Sequence, residues 1–144
     1  MENNDTIHLL KECDAGSKMA VSSIDEVLER IQDSHLKQLL EKSKEHHEQL
    51  GNEIHSQLLK HQSDEKDPNP MAKGMSWLKT NARLAFKPGD ASVADLVVSG
   101  CNMGIKNLHK YQNQYASADE PSKNVADELI GLEADLANSL YPYL

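Results

Sequence analysis

Four side chains that could together bind a metal ion occur in four different predicted helices of this sequence. Asp14 interrupts the apolar seam of the first helix, in which apolar residues recur at intervals of three and four and so line one helix face. His47 and Cys101 stand in the seams of the second and third long helices, and Glu128 lies in the last one. Carboxylate, imidazole and thiolate groups are ligands of iron and zinc. These residues therefore allow a simple single-metal site in the middle of a helical bundle.

Each of these side chains also has a purely structural interpretation. A buried carboxylate needs hydrogen-bond partners, and Asp14 can find them in His47 or Ser43 across the first helix pair. One polar layer of this kind sets the register of packed helices at some cost in stability. Cys101 in an apolar seam is typical of a small buried hydrophobe. Gly104 weakens the third long helix by roughly 1 kcal/mol relative to alanine, which indicates close approach of Met19 or another bulky side chain, with space for a ligand as the alternative.

Breakers and caps divide the chain into four long helices and one short helix. Asp33 and Ser34 form a turn that is short enough to force an antiparallel hairpin. Ser122, after Pro121, is suited to cap the last helix. The predicted helices cover about residues 4–33, 34–62, 71–86, 90–116 and 120–141. The sequence predicts a single all-α domain over residues 1–144.

The connector over residues 63–89 decides how the helices are arranged. Helices of roughly 28 residues are about 42 Å long, and the connector is long enough to return along the bundle and to start the third long helix parallel to the second. Four helices with one such crossover form the ferritin-like arrangement. A simple up-and-down bundle with an elaborated loop is the alternative topology.

Several short motifs resemble the ferritin-like four-helix bundles, and more closely a bacterial branch of uncharacterised function. They are LLKECDAG in the first helix, MSWLK in the connector and Tyr111 late in the third long helix, and with the helix plan they extend the resemblance over nearly the whole chain. In metal-using members, two helices each contribute a carboxylate and two each contribute Glu-x-x-His, which together bind two metal ions. This chain has no Glu-x-x-His in its second helix and no histidine in its last, and it has Cys101 and Gly104 where acidic residues would align in the third. The resemblance therefore implies a ferritin-like fold with a degenerate metal-ligand set.

Composition and charge exclude several functional classes. The formal net charge of -8 argues against a general nucleic-acid binder, which needs a basic face for phosphate contacts. No apolar run approaches the roughly 20 residues that cross a bilayer, so we expect no membrane insertion, and the acidic start MENNDTIHLL lacks the features of a secretory signal. Cys13 and Cys101 are expected to be reduced thiols in a cytoplasmic protein, with an extracellular disulfide as the alternative. No nucleophile is placed on a sharp turn or a helix N-terminus, which disfavours catalysis by side chains.

The connector is also an unusually basic part of the chain. From Pro68 to Gly89 it has four basic and no acidic residues, so the remaining 11 basic and 23 acidic residues carry a net charge of -12. The single tryptophan and the single phenylalanine lie in the same segment. A basic segment with two aromatic side chains can dock on an acidic partner, or pack on the acidic faces of its own bundle. The residues predicted to bind a partner are Lys73, Trp77, Lys79, Arg83 and Phe86.

The sequence therefore favours a soluble, non-enzymatic protein that acts through protein–protein contact or self-association and needs no cofactor. The alternative is a ferritin-like protein that binds iron or zinc through an altered ligand set. The metal content of the purified protein distinguishes these two hypotheses.

Overall fold

The helices of this chain pack side by side in a four-helix bundle. The computed structural model describes residues 4–61 and 89–144. Within these ranges the helices are α1 (Asn4–Leu28), α2 (Ser34–Lys60), α3 (Asp90–Gln114) and α4 (Glu120–Leu140), followed by a 3-10 turn over Tyr141–Tyr143, and there is no strand. The all-α, four-helix prediction is confirmed, whereas the short helix predicted over 71–86 lies outside the described residues. None of the described helices is long and apolar enough to cross a membrane.

Aspartate side chains cap the starts of α2 and α4. The Asp33 carboxylate accepts a hydrogen bond from the backbone N–H of Leu36 at 2.9 Å. The Asp119 carboxylate accepts one from the backbone N–H of Ser122 at 3.0 Å, while the Ser122 hydroxyl donates to the Asp119 carbonyl. The prediction that Ser122 itself caps the last helix is therefore wrong by one turn. The physical reason is that a carboxylate three residues earlier reaches the same free N–H group.

The first helix ends earlier than its sequence pattern predicts. It stops at Leu28 rather than near residue 33, and the N–H of Arg30 then bonds the carbonyl of Val27 at 2.9 Å in a tighter turn. The next free N–H groups, those of Gln32 and Asp33, donate to the Asp90 carboxylate at 2.8 and 2.9 Å. Because Asp90 belongs to α3, a contact across the bundle satisfies the groups that a longer helix would have paired.

Contacts at the two ends of the bundle give the helix directions. At one end, Thr6 in the first turn of α1 accepts a hydrogen bond from the N–H of Asp119, and His61 after α2 lies 3.7 Å from the Asp119 carboxylate. At the other end, the start of α3 meets the α1–α2 turn through Asp90. Helices α1 and α4 therefore run in one direction, and α2 and α3 both run in the other. Each helix of the first pair packs against both helices of the second.

The apolar core consists of two clusters separated by a polar middle layer. One cluster surrounds Ile24 and Val97, and the other surrounds Leu10 and Leu129. Between them each helix contributes at least one polar or small residue, and we call four of these residues the middle layer: Ser17, His47, Gly104 and Glu133. A layer without large apolar side chains contributes little to the hydrophobic stabilisation of the bundle. Its buried polar groups therefore need either hydrogen-bond partners or a functional role.

Candidate functional site

Glu133 is the buried carboxylate of the middle layer. Only 2% of the residue is exposed, and its Oε2 atom has no hydrogen-bond partner among the described residues. The carboxylate lies directly against the bare Cα of Gly104, where a methyl group would stand 2.5 Å from Oε2 and 2.8 Å from Oε1. The bulky neighbour that the glycine indicated is therefore a carboxyl group from α4. Glycine is needed at position 104 because a larger side chain would displace that group.

Burial keeps Glu133 and the two neighbouring cysteine thiols mostly protonated near pH 7. Loss of solvent raises the pKa of Glu133 to about 8, so the carboxyl is mostly neutral at pH 7. Burial, with the negative charges of Glu12, Glu133 and Asp14 as smaller causes, raises the pKa of Cys13 to about 12. The pKa of Cys101 is raised further still, again mainly by burial and then by Glu133. Both thiols are therefore unreactive in the folded bundle, since the thiolate is the nucleophile and the metal ligand.

A small cavity lies beside the carboxyl group, between α1, α3 and α4. Its volume is about 50 Å³, and Glu133, Gly104 and Gly16 are among the residues that line it. Tyr111 closes one side, where its hydroxyl is hydrogen-bonded to the Glu12 carboxylate, and burial raises the pKa of this tyrosine. A water molecule occupies about 30 Å³ in the liquid, so the cavity admits a water-sized guest but no metabolite.

His47 is the second buried titratable group of the middle layer. The residue is fully buried, and its Nδ1 donates to the backbone carbonyl of Ser43 at 2.8 Å, which assigns the proton to Nδ1. Its Nε2 has no hydrogen-bond partner in the two described ranges, and burial lowers the pKa of the ring. The ring is therefore neutral near pH 7, with a free lone pair on Nε2.

The structure does not bring the four predicted metal ligands together. Asp14 and His47 line one groove of about 550 Å³ between α1 and α2. Cys101 is buried in the apolar cluster near Glu133, and Glu128 is exposed in a different groove, between α2 and α4. Over residues 4–61 and 89–144, no group of three or more histidine, cysteine, aspartate or glutamate residues is arranged to hold a metal ion.

The hydrogen bond expected from Asp14 to His47 or Ser43 is not formed. The Asp14 carboxylate instead pairs with Lys18 one turn along its own helix, with 2.9 Å between Oδ2 and Nζ. His47 likewise bonds to its own helix, at Ser43. The prediction was wrong because a lysine four residues away on the same helix always lies within reach of Asp14. A side chain on α2 comes within reach only if the two helices are rotated to face each other there.

Of Glu128 and Glu133 in the last helix, Glu128 was predicted as the metal ligand, although the helix pattern favours Glu133 as the interior one. Leu129, Glu133, Leu136 and Leu140 recur at intervals of four, three and four in α4, which is the seam spacing. Glu128 lies outside that series and is exposed. The seam of the last helix therefore identifies Glu133, and not Glu128, as its interior carboxylate.

The predicted partner-binding residues Lys73, Trp77, Lys79, Arg83 and Phe86 lie outside the described residues. The chain matches no protein-family model, no curated protein and no solved structure.

Proposed function

We propose that this chain is a non-enzymatic, cytoplasmic, ferritin-like four-helix bundle that acts through contact with another protein or with a second copy of itself. The observation that carries the proposal is that burial keeps the interior titratable groups uncharged near pH 7. Glu133 holds its proton near neutral pH, His47 stays neutral, and the pKa of Cys13 is raised to about 12.

The helix directions support the ferritin-like part of this proposal. Helix α2 ends beside Asp119 and α3 begins beside Asp33, at opposite ends of the bundle. Two successive helices that run in the same direction need a long crossover between them, and one such crossover distinguishes this arrangement from an up-and-down bundle. The motif LLKECDAG and the segment MSWLK, which resemble the same group, agree with that topology.

The charge distribution supports action through protein contact. Residues 68–89 have a net charge of +4, whereas the rest of the chain has a net charge of -12. The described surface includes the acidic groove between α1 and α2, where the exposed Asp25 and Glu48 are among the lining residues. A chain that has both a basic segment and an acidic groove attracts a second copy of itself when the segment of one copy meets the groove of the other.

We expect the double variant Lys79→Glu, Arg83→Glu to weaken self-association strongly, because it reverses two of the four positive charges of the basic segment. Sedimentation velocity over a range of protein concentrations measures the effect, and association of the wild type should weaken from 0.1 M to 1 M salt. Trp77→Ala should also shift the protein towards the monomer, since it removes an apolar anchor. Lys37→Glu, an exposed change on α2, is the matched charge control.

Identical sedimentation coefficients for the wild type and these variants at every concentration and both salt levels would argue against self-association. In that case contact with a different protein remains as the proposal. Labelled protein should then bind that partner through Lys79 and Arg83, and the Lys37→Glu variant should bind normally.

Metal binding is the second candidate function, and one observation favours it. The Nε2 atom of His47 has a free lone pair, and Asp14 lines the same groove. An imidazole and a carboxylate are a partial ligand set for zinc or iron, which the groove would have to complete with water. Under the favoured proposal, protein expressed with ample iron and zinc holds clearly less than one metal ion per chain by elemental analysis. Stoichiometric metal that is lost in both Asp14→Ala and His47→Gln would reverse the order of the two proposals.

A further inference from the structure

We propose that the contact between Glu133 and Gly104 is a pH-sensitive latch, in which loss of the carboxyl proton releases α4 from α3 and opens the interior between them. This inference concerns regulation of the bundle and does not depend on which partner it binds.

The geometry of the contact makes it sensitive to charge. The carboxyl group rests on the Cα of Gly104, and its Oε2 atom has no hydrogen-bond partner among the described residues. A neutral carboxyl tolerates such surroundings at moderate cost, whereas a carboxylate without a partner in the interior is strongly disfavoured. The adjacent cavity of about 50 Å³ gives α4 space to shift once the carboxyl is ionised.

Among the described groups that face Glu133, Glu12 is the acidic one and none is a base that is charged near pH 7. Helix α1 presents Cys13 and Glu12, and α3 presents Cys101 and Tyr111. Helix α2 contributes His47 to the same layer, where burial keeps the ring neutral. None of these described side chains supplies a positive charge near pH 7. The ionised carboxylate therefore gains stabilisation mainly by reaching water, which requires the bundle to open.

The difference between the pKa of Glu133 in the closed and in the open bundle gives the direction and the pH range over which opening increases. In the closed bundle Glu133 ionises near pH 8, and in an open one it regains its ordinary value near 4.5. The open form therefore releases its proton first as the pH rises, and the opening equilibrium constant increases by up to tenfold per pH unit between those two values. From pH 6 to pH 8 the expected increase is about 50-fold, and above pH 8 the response becomes flat.

The two buried cysteines provide internal reporters of this opening. Cys13 and Cys101 are both fully buried and flank Glu133 from α1 and α3. We would measure the rate at which a thiol reagent labels each cysteine between pH 6 and pH 8, with the other cysteine replaced by alanine. Dividing each rate by that of the same protein unfolded in urea removes the intrinsic pH dependence of the thiol. The corrected rate should rise about 50-fold in the wild type and stay nearly constant in Glu133→Gln.

Glu128→Gln is the matched control, because it removes a carboxylate from the exposed face of the same helix and should retain the full increase. The opening constant should also exceed the global unfolding constant, obtained from urea titration at the same pH, by at least about tenfold. Labelling that follows global unfolding at every pH would show that no local latch exists. An increase that persists unchanged in Glu133→Gln would assign the response to another group. Either result would overturn the proposal.

Discussion

Glu133→Gln is expected to stabilise the protein by on the order of 4 kcal/mol at pH 8 and by almost nothing at pH 4.5. Burial raises the pKa of Glu133 from 4.5 to about 8, so the folded protein retains a proton that the unfolded chain has released. For an acid whose pKa is raised on folding, stability is highest below the unfolded value of 4.5. It is then lost as the pH rises towards 8. Glutamine has nearly the same shape and stays neutral, which removes this loss.

Urea denaturation at several pH values between 4.5 and 8.5 measures this effect. The difference between wild type and Glu133→Gln should increase with pH and become constant above about pH 8. Glu128→Gln, on the exposed side of α4, should change the free energy of unfolding by less than about 0.5 kcal/mol. A stability difference of Glu133→Gln that does not vary with pH would mean that Glu133 is ionised in the folded state with a partner.

Gly104→Ala is expected to destabilise the wild-type protein by roughly 1–3 kcal/mol, although alanine is the better helix former. The added methyl group would lie 2.5 Å from the nearest oxygen of Glu133, so the buried carboxyl group would have to move. In a Glu133→Ala background that obstacle is absent. The same substitution should then stabilise the helix by about 1 kcal/mol. The expected sign reversal corresponds to a coupling energy of roughly 2–4 kcal/mol between the two positions.

A double-mutant cycle of the two substitutions, measured by urea denaturation at pH 6, tests this coupling while Glu133 is neutral. Gly131→Ala is the matched control, because it lies within α4 and a methyl group there would meet nothing within 4 Å. It should stabilise the protein by about 1 kcal/mol in either background. Additive effects of Gly104→Ala and Glu133→Ala would show that the carboxyl group does not rest on the glycine, and would remove the geometric basis of the latch.

Local pattern was sufficient to predict the four described helices, apart from the early end of α1, and interior positions on α1 and α2. Ser17 and His47 interrupt apolar seams that repeat every three to four residues, and both are buried where the seams place them. The hairpin of α1 and α2 likewise follows from the short turn at Asp33. Helix periodicity and N-capping involve residues within one or two turns of each other, so they can be recognised in the sequence alone.

Only the tertiary structure decided which side chains meet in the middle of the bundle. The sequence offered Asp14, His47, Cys101 and Glu128 as one site. Only the first two share a groove, whereas Cys101 lies in an apolar cluster and Glu128 in a separate groove. Contact between helices depends on their relative rotation and axial shift, which are set by packing of the whole core and are not encoded in any single seam. For the same reason the sequence indicates only that Gly104 leaves space for a neighbour. The packing of α4 against α3 decides that this neighbour is the carboxyl group of Glu133.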